Sequence, residues 1–239
     1  LEFRRVLFRS NVNFDKHIQQ QVNKANSIMG LIRRTYTFLD ETSFRYLFQA
    51  LVRPHLEYAE AVWSPFTKKD IDTIEKVQKR ATKLIPSLKN MDYPNRLKKL
   101  KMPTLQYRRL RGDMIEVYKI INGIYDHKVV TGFFELSDVE QTRGHNKKLR
   151  KLSCKINKRK NYFSNRVIDV WNNLPQEAVS AKSVKDFEIA IDKHWENQEM
   201  KYNHNANIEL KTGRKRSYTI IQRDDDKIEA DKVVDDQRP

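Results

Sequence analysis

Between positions 18 and 39 the apolar residues Ile18, Val22, Ala25, Met29, Ile32, Tyr36 and Leu39 recur in alternating steps of four and three. That rhythm lines one face of an α-helix and no face of a strand. It predicts a helix over residues 14–38, capped by Asn13 or Asp15 and about 37 Å long at 1.5 Å per residue. Such a seam either meets a coiled-coil partner or folds back into a helical hairpin. No comparable heptad run follows, so the hairpin is expected. Only six glycines occur in 239 residues, and Lys, Arg, Leu, Ile and Glu are abundant, so helix is the default throughout.

Further helices follow from the same spacing. After Asp40 and Ser43, a second helix places Phe44, Leu47, Phe48, Leu51 and Val52 inward, and Pro54 ends or kinks it. Residues 55–63 resume helix until Ser64-Pro65. Thr67 with Asp70 forms a capping box with Asp in place of Glu. The helix behind it buries Ile71, Ile74, Val77, Ala81, Leu84 and Ile85. Its acids (Asp70, Asp72, Glu75) come early and its bases (Lys76, Lys79, Arg80, Lys83) late, an order that suits the helix dipole. Pro86 stops it.

A short helix is expected at 95–101. Pro103-Thr104 opens another, with Tyr107, Leu110, Met114, Val117, Tyr118 and Ile121 on one side and Gly123 as terminator. Residues 129–140 read as loop or short extended segments, and Leu152, Cys154 and Ile156 alternate with polar residues as in a strand. Phe163, Val167, Val170, Trp171 and Leu174 restore helical spacing. Ser183 caps a last helix carrying Val184, Phe187, Ile191 and Trp195. Beyond Tyr202 the chain is polar and disorder is expected.

Lys and Arg number 47 against 31 Asp and Glu, a net charge of +16. Such an excess is matched by a phosphate backbone, whose counterions are released as Lys and Arg neutralise it. The alternative is a basic domain with no nucleic-acid role. From 141 to 168 there are ten Lys or Arg and no acid, including Arg143, Lys147, Lys148, Arg150, Lys151, Lys158, Arg159 and Arg166. With no carboxylate nearby in sequence, these repel one another unless a polyanion is present. They are the candidate phosphate contacts, positioning groups rather than base readers. Tyr162 lies among them as a stacking candidate, whereas Phe163 begins an apolar stripe and reads as core. A second acid-free stretch, 95–112, adds Arg108 and Arg111, with Arg109 placed to pair with Asp113 one turn on.

Several chemistries are missing from the sequence. Polymerase chemistry needs paired carboxylates holding two metal ions, and no Tyr-x-Asp-Asp string occurs. Asp224-Asp225-Asp226 reads as a solvated acidic patch. The histidines show no metal spacing, there is no phosphate-binding glycine loop and no nucleophile elbow. No cofactor is expected. His145 reads as a phosphate or structural contact. Cys154 is the only cysteine, which excludes an internal disulfide and points to a reducing, intracellular compartment, with nucleus and cytoplasm both open. No apolar run approaches the ~18 residues of a membrane span.

Five groups of residues then occur in order: Leu51-Val-Arg-Pro-His-Leu-Glu-Tyr58 with Trp63-Ser-Pro65; Ile74-Glu-Lys-Val-Gln-Lys-Arg-Ala-Thr-Lys83; Arg108-Arg-Leu-Arg-Gly-Asp-Met-Ile-Glu-Val-Tyr-Lys119; Thr142-Arg-Gly-His145; and Phe163-Ser-Asn-Arg-Val167 with Trp171-Asn-Asn-Leu-Pro175. Together they resemble the region downstream of the polymerase palm in jockey-like non-LTR (LINE) retrotransposon reverse transcriptases, over residues 11–195. The resemblance implies a helical thumb that closes on the template–primer duplex, with RNA and DNA as partners. It also implies a parent RNA-directed DNA polymerase that uses magnesium. The palm and its catalytic Asp residues are absent, so no polymerase activity is expected of this chain alone. On that reading the fold is mainly α, a thumb-like helical bundle followed by a small basic α+β or helical region. Residues 11–90 are the thumb, 91–140 a helical connector, 141–200 the basic C-terminal region and 201–239 a disordered tail. Residues 1–10 contain Arg4-Arg5-Val6-Leu7-Phe8-Arg9-Ser10, which resembles the translation of a sequencing adapter, and are set apart as extraneous. The competing reading, from a different class, is a helical protein–protein interaction module that uses the seam between 18 and 39.

Overall fold

A computed structural model describes residues 14–137, 144–153 and 157–210, and the fold they form is mainly helical. The first helix, α1, spans Asp15–Thr35. It stops three residues before the predicted end because the backbone turns extended at Tyr36. That turn delivers Leu39 into the core and leaves Phe38 in solvent. Ile18, Val22, Ala25 and Ile32 are buried as the seam requires.

Asp40 caps α2, Glu41–Leu47, by accepting from the Ser43 N–H at 3.0 Å. The chain then widens into a π-helical turn, Phe48–Val52, before α3, Arg53–Glu57. Pro54 explains the widening. In a regular helix its ring would meet the carbonyl of Ala50, four residues back, and its missing N–H would leave that carbonyl unbonded. Phe44, Phe48, Val52 and Leu56 still face the core. Leu51, expected inward, is rotated out to 45% exposure.

Ala59, in the left-handed region at φ 54°, turns the chain into α4, Glu60–Trp63. Thr67 caps α5, Lys68–Ala81, accepting from the Asp70 N–H at 3.2 Å while its hydroxyl donates to the Asp70 carboxylate. Two 3₁₀ turns, Thr82–Leu84 and Pro86–Leu88, lead to α6, Tyr93–Leu100. Thr104 then caps the long α7, Leu105–Ile121.

Two hydrophobic clusters result. The first runs from Ile18 to Leu105 and closes α1 against α3 and α5. The second begins at Tyr107 and gathers Met114, Val117, Trp171, Phe187, Ile191 and Trp195. α7 is shared, with Leu105 in one cluster and Tyr107 onward in the other. The segment 91–140 is therefore divided between the two cores.

Beyond α7 lie the short helices α8 (His127–Val130), α9 (Asn157–Lys160), α10 (Phe163–Arg166), α11 (Ile168–Trp171) and α12 (Gln176–Val179), then α13 (Val184–His194), capped by Ser183. An antiparallel bridge pairs Leu136 with Leu149. The alternation at 152–156 falls mostly outside the described residues, as do Cys154, the acidic patch at 224–226 and residues 1–10. Among the described residues no helix is long and apolar enough to cross a membrane.

The chain after Tyr202 departs from the expected disorder. Met200 and Ile208 are buried. Gln198 and Glu209 bond reciprocally, at 3.0 and 2.9 Å. The Thr104 N–H and hydroxyl donate to the Lys201 and Met200 carbonyls, and His204 lies 3.4 Å from Asp72. Polar composition between 202 and 210 thus conceals a strap tied to both cores. The rest of the expected tail, 211–239, lies outside the described residues.

Candidate nucleic-acid interface

The predicted phosphate contacts fall into groups that their positions in sequence do not reveal. Arg108 donates from Nε and Nη2 to the two carboxylate oxygens of Glu57, at 2.5 and 3.0 Å. Arg111 forks onto Asp192 at 2.6 and 2.9 Å and reaches Glu188 at 3.3 Å. Arg166 forks onto Asp113 at 3.2 and 2.8 Å and also donates to the Ala61 carbonyl at 3.1 Å. These guanidiniums are internal braces, each matched by a carboxylate more than fifty residues away. Asp113 is therefore taken by Arg166 rather than by Arg109.

Arg109 itself is buried over the Trp63 ring and donates to the Leu56 carbonyl at 3.2 Å, with its Nε unpartnered. It sits between two acids that burial pushes up. Burial raises Glu60 to about 8, with Arg109 opposing and Glu57 and Asp113 adding to the rise. Burial raises Glu75 to about 7, against the hydrogen bond from Tyr93. Gly112 makes room for the first of these, since a Cβ there would stand 2.4 Å from Glu60 Oε1.

His145 is buried against the edge of Trp171. Its Nε2 is 2.9 Å from the Trp171 carbonyl, and its Nδ1 receives the Lys147 N–H at 3.2 Å. Those partners require a neutral ring with the proton on Nε2, and burial lowers its pKa accordingly. The Trp171 indole donates back to the Lys147 carbonyl at 2.8 Å. Asn172 bonds both the N–H and the carbonyl of Leu149, at 2.8 and 2.9 Å, as a neighbouring strand would. His145 is thus a structural contact.

Of the remaining candidates, Lys151 pairs with Asp169, Arg150 with Glu135 at 3.5 Å, and Lys147 donates to Asn122 Oδ1 at 2.6 Å. Lys148 is half-buried beside Gly144. Arg159 is exposed, and Tyr162 is half-buried at the start of α10. Phe163 packs on the second core, tilted against Phe134. Arg143 and the Lys158 side chain lie outside the described residues.

A different surface carries cations that no described carboxylate meets. Lys76, Lys79 and Arg80 on the exposed face of α5, with Lys83 just beyond it, are solvent-facing and form no ion pair with a described residue. They lie within eight consecutive residues, about 10 Å along the chain, and Lys89 follows. The sequence holds part of the signal: Asp72, one turn before Lys76, faces His204 instead, and Glu75, one turn before Lys79, points into the core. The order of the run also suits the helix dipole, and that local explanation masks the exposed ridge.

No family model, no curated protein and no solved structure matches the chain. Among the described residues no group of three or more His, Cys, Asp or Glu is arranged to hold a metal ion.

Proposed function

We propose that this chain is the thumb and post-thumb region of a jockey-like non-LTR retrotransposon reverse transcriptase. On this reading it holds the backbone of RNA or DNA without reading sequence, while catalytic residues elsewhere in the parent polymerase do the chemistry with magnesium. The observation that carries the holding role is the ridge of Lys76, Lys79, Arg80 and Lys83, unopposed by described carboxylates on a chain of net charge +16. A further support is the way the residues behind the resemblance bind one another. Glu57 meets Arg108, Trp63 meets Arg109, Asp113 meets Arg166, and His145 meets Trp171. The interaction-module reading loses its surface, because the seam of α1 is covered by α3 and α5.

Duplex binding measured across a salt series tests the reading. Each neutralised phosphate contributes a slope of about −0.9 in log affinity against log salt on duplex DNA. Replacing Lys76, Lys79, Arg80 and Lys83 by Ala should flatten the slope by roughly three to four phosphates' worth, equally for unrelated sequences. Replacing the paired Arg108 or Arg111 should leave the slope unchanged. No binding at low salt, or a slope untouched by the ridge variant, would reject the role.

A further inference from the structure

At the C-terminal end of α5 a concavity of about 620 Å³ opens to solvent, within the range of small-molecule sites. Lys79, Lys83 and Lys89 line it, with Arg96, Asn90 and His204. The three lysines are exposed and pair with no described carboxylate. The acids nearby are engaged: Asp92 accepts from Asn95 Nδ2 at 2.5 Å, and Asp72 faces His204.

Arg96 is the informative member. It is 2% exposed, and a charge so buried is ordinarily met by an opposite one, because desolvation is costly. Here its hydrogen-bond partners are neutral. Nε donates to Thr82 Oγ1 at 2.9 Å, Nη1 to the Met91 carbonyl at 2.6 Å and Nη2 to the Lys79 carbonyl at 3.3 Å. The Tyr93 ring lies 5.5 Å from its carbon, and the Tyr93 hydroxyl is committed to Glu75. Arg108, Arg111 and Arg166 each hold a carboxylate; Arg96 holds none among the described residues. Carbonyls at a helix C-terminus carry only partial negative charge. A guanidinium has five N–H donors, so two remain beyond these three bonds. A buried cation with neutral hydrogen-bond partners shares the cavity wall with three ammonium groups and a single carboxylate, Asp92, which acts on Arg96 through space, so positive charge is in excess there.

We infer that this concavity is a binding site for a phosphate group bearing two or more negative charges, a terminal monoester or a diphosphate. Lysines supply mobile point charges for such a group, and the arginine a fixed fork. The group can belong to a free nucleotide or to the end of a nucleic-acid strand. The site stands on Arg96 and its surroundings and does not require the strand-holding role.

Calorimetric titration of the full chain with inorganic pyrophosphate at low ionic strength is the test. One saturable site is expected. Lys83→Ala with Lys89→Ala should weaken it at least about tenfold, since each replacement removes a charge-assisted contact. Lys76→Ala with Arg80→Ala, outside the cavity, should leave it unchanged. Absence of saturable binding, or equal weakening by both pairs, overturns the site. Arg96→Met should abolish pyrophosphate binding; because it can also loosen the fold, the lysine pair decides. Competition by a 5′-phosphorylated oligonucleotide but not its 5′-hydroxyl twin assigns the group to a strand end. Competition by nucleoside diphosphates alone assigns a free ligand. Loss of duplex affinity in Lys76→Ala with Arg80→Ala, with pyrophosphate binding intact, separates the two proposals.

Discussion

Arg166 and Asp113 are separated by 53 residues of chain, and the fork between them is nearly closed to water, at 16% and 5% side-chain exposure. Removing one partner of such a pair strands the other charge in the interior. Arg166→Ala should therefore lower the unfolding free energy by about 3–5 kcal/mol, read from urea denaturation, while leaving the salt slope of duplex binding where it was. Glu60 acts in the opposite sense. Its carboxyl is raised from 4.5 to about 8, chiefly by burial, so the folded state holds a proton that the unfolded chain releases above about 4.5. Its contribution is fully present below that pH and is lost as pH rises through about 8, at no more than about 1.4 kcal/mol per pH unit. Glu60→Gln should raise the urea midpoint at pH 8 and leave it nearly unchanged at pH 4.5. Both residues show what the sequence conceals. Acid-free stretches are plain at 95–112 and 141–168, but whether a cation is free depends on carboxylates that folding brings from far along the chain.

Elements were legible where the rule is local. The seam of α1 and the Thr67 and Ser183 caps follow from residues within a turn of one another, whereas α5 ends at Ala81, ahead of the stop expected at Pro86. The π turn does not. Pro54 announces a disturbance, but a break, a kink and a widened turn all satisfy it, and only the packing of Phe44, Phe48, Val52 and Leu56 selects the last. Thr104 combines both kinds of information. Its cap of α7 is local, through the Tyr107 N–H at 3.1 Å. Its hydroxyl also donates to the Met200 carbonyl, 96 residues on, at 2.8 Å. The isosteric Thr104→Val keeps the volume and loses both bonds at a fully buried site. It should cost about 2–3 kcal/mol, whereas Thr67→Ala, at a half-buried cap, should cost about 1 kcal/mol. Thermal melts of the two variants side by side read the difference.

At the scale of the molecule, two cores share one helix and one strap. α7 passes from the first cluster to the second at Leu105–Tyr107, and residues 199–210 return to tie them again. Met200 and Ile208 enter the second core, Tyr202 packs on the first, and His204 reaches Asp72. Composition could not announce this, because a strap needs only two or three apolar anchors among polar residues. A chain ending at Gln198 would keep every longer helix yet lose both anchors, each contributing roughly 1.5–3 kcal/mol of burial, and the Thr104 bonds with them. The cores would then be joined by α7 and by the Arg166 bond to the Ala61 carbonyl. The truncated chain should unfold about 3–6 kcal/mol less stably, and calorimetry should resolve two transitions where the strapped chain shows one. The second core should melt first, since it loses Met200 and Ile208 outright, while the first keeps its closed packing of α1, α3 and α5. A single transition at unchanged temperature would mean that α7 and the Arg166–Ala61 bond suffice to couple the cores, and that the strap is packed without holding them together.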